Sequence, residues 1–426
     1  MVQLAKRLVL VLMAACQPGL AQTGPQLWIS PSGKVPNYWE LFKNPHAWPT
    51  VQETIDVFSM HVNRFKLNTP FDTVAVQQAI RLFNARDILV AFEVGGLRPF
   101  SGCDDRAGEK HAALEGSQMA IWLAQGGRID LITMDSAINT MIANGKKGNC
   151  GWTVTQAAHE MVDYMEAIRA MLPDVQFGLI EPVPWYSVGS FPSHPGNHYG
   201  DLPTVLDTVL TVVQERGETL DYFYADSPYD YSDNSETQGW LKLKAVEDYV
   251  REKGLRFGLV YNSSIGGNTS DQLFYEQTLD GWVKYAAVGG QPDIVGVWSW
   301  YPHPSESYPE DQPYTFTYTC KAFFEQAGLI TAVTPPSVPQ APALLPNYPN
   351  PFNPSTTIRF VLARPGLVRL RVFDLLGKEV ASLLAERLPA GPHAVVFDAG
   401  SLPSGVYFYQ LQADQFKQTR RLLLLR

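Results

Sequence analysis

Four acidic residues stand at the ends of short apolar runs in the middle of the chain. The runs and their final acids are VAFE with Glu93, LITMD with Asp135, GLIE with Glu181 and YFYAD with Asp226. Continuously apolar runs of this length are typical of parallel strands buried on both faces. The four acids are therefore expected at equivalent strand ends, where neighbouring carboxyl groups keep one group protonated while another is ionised. This division of protonation states predicts general acid/base catalysis.

The four carboxyl groups have different predicted roles. Glu181 is the preferred catalytic acid/base, and the alternative is a structural acid that holds the turn over residues 182–184. Asp226 is the predicted nucleophile or base. Asp135 is a third catalytic candidate or else a substrate ligand, and Glu93 is either catalytic or a support for the others.

Aromatic and polar side chains follow the same strand ends. Aromatic rings stack on the apolar faces of sugars, and amide, ammonium and imidazole groups bond to hydroxyls. Glycosidic cleavage needs one acid to protonate the leaving oxygen and a second carboxylate to attack or to activate water. The sequence thus predicts a carbohydrate substrate. The predicted substrate-binding residues are Lys66, Asn68, Trp185, Tyr186, Tyr229, Tyr261, Asn262, Trp298, Trp300 and His303.

Short β-rich runs alternate with amphipathic stretches between residues 25 and 329. The runs are LWIS, RFKL, ILVAFE, IDLITMD, VQFGLIE, LDYFYAD, RFGLVY and DIVGVWSW. Between them lie stretches such as VTQAAHEMVDYMEAIRAML, in which Ala157, Met161 and Met165 share one helical face. Eight strands, each followed by a helix, predict an α/β fold of the (β/α)8 TIM-barrel type, with the site at the carboxyl ends of the strands. Lys66 and Asn68 belong to the second strand in this interpretation.

Other functions stay open beside glycan cleavage. A barrel that binds glycan without cleaving it is the main alternative. A non-glycan hydrolase or lyase is the third, although the chain has no GxSxG motif for a nucleophilic serine. Neither a GxGxxG turn nor a P-loop occurs, so no nucleotide cofactor is predicted. The acidic body, with 21 Lys/Arg against 37 Asp/Glu over residues 8–346, argues against a nucleic-acid partner.

Cysteine and histidine usage predicts a disulfide and no metal site. Cys103 and Cys150 lie in loops that leave the same face of neighbouring predicted strands, and we expect them to form a disulfide in an oxidising compartment. Cys320 is expected to be buried in the last helix of the barrel. His194 and His198 form an HxxxH pattern in a Gly/Pro-rich loop, which lacks the helical geometry of a zinc site. They are expected to line the cleft or to face solvent.

The N-terminus predicts export. Lys6 and Arg7 precede an apolar run that is too short to span a bilayer, and small residues follow near Ala21, as in a signal peptide over residues 1–21. Cleavage after Ala21 leaves a soluble protein, whereas an imperfect lipobox would make Cys16 a lipid anchor. No other segment is long and apolar enough to cross a membrane.

The C-terminal part differs in composition from the body. A proline-rich linker over residues 330–346 precedes short strand-like runs with turn signals between them, which predicts a small β-sandwich. The motifs NYPNPFNPSTTIRF, VFDLLGKEV, AGPHAVVFDA and LPSGVYFYQLQA, with the final strand QTRRLLLLR, resemble the C-terminal sorting domain of the type IX secretion system. This resemblance covers residues 347–426. It implies an immunoglobulin-like fold, a Gram-negative bacterium of the Bacteroidetes type, and a secreted or surface-attached protein.

The body also resembles the broad glycosidase superfamily of TIM barrels, in architecture alone. The largest clan of that superfamily has catalytic glutamates at the ends of strands four and seven, where this chain has Asp135 and Tyr261–Asn262. The chitinase pattern DxxDxDxE is absent as well. The resemblance therefore assigns no individual glycosidase family.

Overall fold

The computed structural model describes residues 24–330 and 342–425, except 66–70, 99–102, 143–149, 197, 345–346, 348–349, 363, 365, 389–390, 401 and 414–415. The chain divides into two compact units, Met1–Ile330 and Thr331–Arg426, and each is described by itself. The predicted signal peptide, Cys16 and most of the predicted linker lie outside the described residues, as do Lys66 and Asn68.

The first unit contains a closed barrel of eight parallel strands, which confirms the predicted fold. Each strand pairs with its sequence neighbours, and the first pairs with the last through the register from Gln26 with Ile294 to Ser30 with Trp298. The strands are β1 Gln26–Ser30, β2 Val57–His61, β3 Leu89–Val94, β4 Leu131–Asp135, β5 Gln176–Pro182, β6 Tyr222–Asp226, β7 Arg256–Tyr261 and β8 Ile294–Trp298.

Helices follow the strands and cover the outside of the barrel. Most of the long helices begin at a capping side chain: Asp72 accepts from the backbone of Ala75, and Thr153 forms a capping box with Gln156. The helices are α1 Glu40–Lys43, α2 Pro49–Thr54, α3 Thr73–Arg86, α4 Ala107–Ala124, α5 Asn139–Ile142, α6 Val154–Met171, α7 Leu202–Glu215, α8 Tyr229–Ser232, α9 Gly239–Glu252, α10 Ser264–Thr269, α11 Asp271–Ala287 and α12 Phe316–Gln326.

The predicted position of the second strand is wrong. β2 is VFSMH, and the run RFKL lies beyond it, with Arg64 and Phe65 in a single 3-10 turn. The register Val57 with Leu89 fixes β2 beside β3. Lys66 and Asn68 therefore do not belong to this strand.

Four aspartates at equivalent positions link neighbouring strands at the amino-terminal end of the barrel. Asp56, which precedes β2, accepts a hydrogen bond from the backbone N–H of Leu27 in β1 at 2.8 Å. Three further aspartates stand before β4, β6 and β8 and accept from the backbone of the preceding strand at 2.8 to 2.9 Å. Each of these hydrogen bonds links two neighbouring strands just before their first paired residues. The three further pairs are Asp130 with Val90, Asp221 with Phe177, and Asp293 with Phe257.

Large aromatic side chains fill the inside of the barrel. Trp28, Tyr222, Tyr224 and Trp298 belong to one fully buried cluster. Glycines on neighbouring strands give these rings their space: a Cβ at Gly178 would lie 1.8 Å from the Tyr222 ring. The barrel interior is therefore a packed core, and ligand access is limited to its ends.

The second unit is a pair of antiparallel sheets around a common core. The strands are β9 Ala343–Leu344, β10 Ser355–Leu362, β11 Gly366–Phe373, β12 Glu379–Leu388, β13 Gly391–Asp398, β14 Gly405–Ala413 and β15 Phe416–Leu424. One sheet has the order β13-β10-β9 and the other β12-β11-β14-β15, and residues of both form a single apolar cluster. A small β region after the barrel was predicted, and this is confirmed.

Across the residues that the structure describes, no helix has the length and apolar character that a bilayer-spanning segment requires.

Candidate functional site

Three of the four predicted acids enter the carboxyl-terminal mouth of the barrel. Side chains of alternate strand residues share a face, and Ala91, Leu131 and Tyr224 belong to the interior cluster. Glu93, Asp135 and Asp226 stand two or four residues beyond these three on β3, β4 and β6. The strand geometry thus aims all three carboxyl groups into the same mouth.

Glu93 is held by a tryptophan from the eighth strand's end. The indole Nε1 of Trp300 donates to Oε1 of Glu93 at 2.9 Å and to Oε2 at 3.1 Å. Burial raises the pKa of Glu93 to about 8, the charges of Asp135 and Asp226 add to the rise, and Trp300 and Arg98 oppose it. Burial and the neighbouring carboxylates thus favour the protonated form of Glu93, which is only 2% exposed.

Asp135 is the carboxylate with a cationic partner. Nη2 of Arg98 lies 3.1 Å from its Oδ2, and Nη1 of the same guanidinium donates to the Asp135 carbonyl at 2.6 Å. The hydroxyl of Ser136 donates to Oδ1 at 3.0 Å. The Asp135 side chain is 26% exposed, so it reaches the open mouth while its charge is balanced by Arg98.

Asp226 has an oxygen without a protein partner. Its Oδ1 is buried and forms no hydrogen bond with the described residues. Burial raises the pKa of Asp226 to about 8, and the charges of Asp135 and Asp230 act in the same direction. The negative charge of Asp226 in turn helps to raise the pKa of Tyr231 and of Tyr301. Its surroundings therefore favour the protonated form of Asp226, and one of its oxygens has no partner among the described residues.

His61 ends β2 in register with Glu93, and it was not among the predicted site residues. Burial lowers the pKa of His61, while the charges of Asp135 and Glu115 oppose this. Its Nδ1 accepts from the backbone N–H of Asn63 at 3.0 Å, which places the proton of the neutral ring on Nε2. Once the second strand is placed at VFSMH, the polar residue at its end is the signal that identifies His61.

Glu181 does not share the mouth with the other three acids, contrary to the sequence analysis. Ile180 belongs to the interior cluster, whereas Phe177 and Leu179 belong to the core between strands and helices. Glu181 therefore faces the helices, and it is fully buried. Its Oε1 accepts from the backbone of Ile138 at 3.0 Å.

The remaining contact of Glu181 is with another predicted site residue, Tyr186. The Tyr186 hydroxyl donates to Oε2 at 2.6 Å, and Tyr186 is itself fully buried. Burial raises the pKa of Glu181 to about 7, against the hydrogen bonds from Tyr186 and Ile138. Glu181 holds the loop that follows Asp135, and Tyr186 holds Glu181. The predicted catalytic role of Glu181 and the predicted substrate contact of Tyr186 therefore do not fit their buried positions.

Three other predicted substrate-binding residues gather behind the barrel wall. Tyr261 packs on Phe323 with ring centroids 4.8 Å apart, in the core between strands and helices. The Tyr229 hydroxyl donates to Asp280 of α11 at 2.6 Å. Asn262 is 2% exposed and lines a small cavity together with Tyr229 and Tyr261. These positions belong to the contact between β7 and the helices.

The two tryptophans after β8 have different surroundings. Trp298 is fully buried in the barrel interior, 5.2 Å from the Tyr224 ring, so it closes the core below the mouth. Trp300 lies above it at a centroid distance of 5.5 Å and is half-buried. Of the pair, only Trp300 combines an exposed part with a contact to an acid.

Trp185 forms one aromatic wall of the mouth with two residues that were not predicted as ligands. Its ring lies 5.1 Å from His194 and 5.2 Å from Tyr231, both edge-on. Behind this wall, Nζ of the buried Lys242 donates to the carbonyls of Tyr186 and Pro192, the latter at 3.0 Å. Burial lowers the pKa of Lys242 to about 8. The lysine fixes the loop that carries Trp185 and His194.

His303 lies in the loop after β8 and is tied to the start of α11. Its Nδ1 is 2.5 Å from Oδ1 of Asp271, and its backbone N–H donates to Gly267. The side chain is 29% exposed. A contact between His303 and substrate stays a prediction.

The predicted disulfide is confirmed. Cys103 and Cys150 are bonded, with Cα atoms 5.3 Å apart, and Cys320 is a buried free cysteine as expected. The bond joins the loop after β3 to the segment that precedes α6, both at the mouth end of the barrel. In the described part of the chain, no group of three or more His, Cys, Asp or Glu side chains is arranged to hold a metal ion.

The C-terminal unit matches a known family. Residues 347–424 match the model of the secretion system C-terminal sorting domain. The chain thus carries a sorting domain of the type IX secretion system, and its destination is the outer-membrane surface or the medium of a Bacteroidetes bacterium.

Solved structures similar in fold include several polysaccharide-degrading enzymes. The endo-β-1,4-mannanase of Thermotoga petrophila has 10% identity and a TM-score of 0.41, covering 94% of this chain and 97% of that chain. Two fungal β-1,4-galactanases have 9% identity and a TM-score of 0.40, with coverage of 65% and 89%. The endo-1,4-β-xylanase of Penicillium canescens has 11% identity and a TM-score of 0.38, with coverage of 64% and 84%. At these identities the likeness concerns the barrel fold alone. Curated proteins yielded no match.

Proposed function

We propose that the barrel is an exported glycoside hydrolase whose catalytic groups are Asp226 and Asp135. The observation that carries the proposal is that one mouth contains two carboxyl groups in different environments, one that favours the protonated form and one that is ion-paired. Asp226 has a pKa of about 8 and an oxygen without a protein partner, whereas Asp135 is ion-paired with Arg98. Such a pair supplies the proton donor and the carboxylate that glycosidic cleavage requires.

In the proposed reaction, Asp226 donates its proton to the glycosidic oxygen as the bond to the anomeric carbon breaks. Asp135 then attacks the anomeric carbon, or removes a proton from the water that does so. Arg98 holds the Asp135 carboxylate in place through both its side-chain and its backbone oxygen. In the proposed division of roles, Glu93 stays protonated behind Trp300 and supports Asp135 without taking part in proton transfer.

Aromatic side chains on two sides of the mouth support a carbohydrate substrate. Trp300 lies on the side of Glu93, and the wall of Trp185, His194 and Tyr231 lies on the side of Asp226. A mouth that combines aromatic rings with carboxyl groups suits a sugar, which offers apolar C–H faces and hydroxyl edges at once. Binding without cleavage is the alternative, which the internal partners of Glu93 and Asp135 favour.

A reducing-sugar screen of the purified protein tests the proposal. The panel should contain plant, algal and bacterial glycans, and binding should be measured on the same panel by calorimetry. Hydrolysis of at least one glycan, lost in Asp226→Asn with binding retained, is the expected result. Binding without hydrolysis by the wild-type protein would favour the non-catalytic alternative, and neither binding nor hydrolysis would contradict both.

A further inference from the structure

The four-stranded sheet of the second unit has one apolar face and one cationic face. Val368, Leu370 and Val372 of β11 are fully buried in the core, so the alternate residues of that strand face outward. The outward positions of β11, β14 and β15 include four cations and no acid, and β12 adds Glu379 opposite Phe373 and Arg387 opposite Leu367. We call this surface the cationic face, and its main residues are Arg369, Arg371, Phe373, Phe408, Lys417 and Arg421.

The strand register concentrates these cations. Arg369 and Lys417 both pair with Gln412, one from each side. Neighbouring strands lie about 4.8 Å apart, so the two like charges are held within two strand spacings and repel each other. Among the described residues, Arg371 has an acidic partner, Glu379 at 3.4 Å, and Arg369, Lys417 and Arg421 form no ion pair.

Protection of a sheet edge does not explain this arrangement. Lysine on an edge strand discourages pairing with other chains, and that accounts for Lys417 on β15. Arg369 and Arg371, however, lie on β11, which is paired on both sides by β12 and β14. Edge protection therefore does not account for these two arginines, and Arg369, which forms no ion pair with the described residues, is left available to a group of opposite charge.

We propose that the cationic face is the surface through which the sorting domain binds a carboxylate-rich surface of a protein in the export machinery. The match to a secretion sorting domain requires that some face be recognised. Phe373 and Phe408 are paired across β11 and β14 next to Arg421. Arginines around aromatic rings are typical of protein interfaces, and this favours a protein partner over the phosphates of a lipid headgroup.

Charge reversal in the full chain tests the proposal. The variant Arg369→Glu/Lys417→Glu/Arg421→Glu is expressed in a Bacteroidetes host, and the protein is quantified at the cell surface, in the medium and in the periplasm. We expect the exported fraction to fall about tenfold or more, because like charges across an interface oppose binding. Export at the wild-type level would overturn the proposal.

Two controls separate recognition of the cationic face from net charge and from side-chain shape, and circular dichroism of each purified variant checks that it is folded. Lys34→Glu/Arg81→Glu/Arg106→Glu changes the net charge equally on the exposed surface of the barrel unit and should be exported normally. Arg369→Lys/Arg421→Lys keeps the charge and should also be exported. If the second control fails as the reversal variant does, side-chain shape rather than charge is recognised, and the proposal is wrong.

A binding measurement distinguishes a protein partner from lipid phosphates, the other source of negative charge. The purified full-length wild-type protein and the reversal variant are mixed with vesicles that contain lipopolysaccharide. Equal, weak retention of both proteins is expected. Retention of the wild type alone would identify a lipid phosphate as the occupant and contradict the proposed protein partner.

Discussion

Glu181 and Asp226 end neighbouring strands, yet they face opposite sides of the barrel wall. In the register of β5 and β6, Asp226 pairs with Pro182, and Glu181 pairs with Ala225. A difference of one residue reverses the face of a strand side chain. Asp226 therefore points into the mouth, and Glu181 points to the helices, where the N–H of Ile138 and the hydroxyl of Tyr186 satisfy it.

Removal of the Glu181 carboxyl group is predicted to destabilise the barrel. Glu181→Ala leaves the Ile138 N–H and the Tyr186 hydroxyl buried without a partner, at a cost of about 1–3 kcal/mol for each group. Glu181→Gln keeps an acceptor for Ile138 and should lose clearly less. Urea unfolding of both variants checks this, and equal stability of Glu181→Ala and wild type would contradict the assigned contacts.

The raised pKa of Asp226 predicts a decline of stability with rising pH. A carboxyl group with an ordinary pKa of 3.8 and a folded-state pKa of about 8 binds its proton more tightly in the folded protein. Its contribution is complete below pH 3.8 and is lost as the pH rises through about 8. Glu93 acts in the same direction.

Melting temperatures between pH 5 and pH 8 measure this effect. The wild type should lose melting temperature over this range, and Asp226→Asn should lose less, because it removes one titrating group. An identical pH dependence in both proteins would show that Asp226 titrates normally.

At the scale of the elements, the order of strands and helices could be predicted from the sequence. Whether each acidic side chain points into the barrel or toward the helices could not. Strands such as FGLIE and YFYAD are apolar on both faces, so no polar alternation shows which residues point inward. The second strand was misplaced because RFKL and VFSMH are both short β-rich runs. In the second unit, EVASLLAERL consists largely of good helix formers, yet it forms β12 because pairing with β11 outweighs that propensity.

The aspartates at the amino-terminal end of the barrel allow a prediction for these elements. Asp221→Ala removes the acceptor of the Phe177 N–H and should destabilise the protein by about 1–3 kcal/mol. Asp221→Asn retains an acceptor and should lose less. Asp174→Ala, in the exposed turn before β5, is the matched control. The free energy of unfolding is measured with denaturant. Equal values for Asp221→Ala and Asp174→Ala would contradict the link between β5 and β6.

At the scale of the whole molecule, the two units have separate tasks. The acidic barrel holds the proposed catalytic groups, and the basic C-terminal unit carries the export address. Deletion of residues 347–426 should therefore leave the protein in the periplasm. Cell fractionation with an antibody against the barrel measures this, and surface display of the shortened chain would contradict the assignment.

The rate of glycan hydrolysis in two single variants tests the central claim most directly. Wild type, Asp226→Asn and Glu181→Gln are compared on one cleaved glycan at pH 6, after their folding is verified by circular dichroism. Loss of a general acid lowers the rate by about 10²–10⁴, and we predict this loss for Asp226→Asn, with Glu181→Gln within about tenfold of wild type. The reverse order, with Glu181→Gln inactive and Asp226→Asn active, would contradict a catalytic site in the barrel mouth.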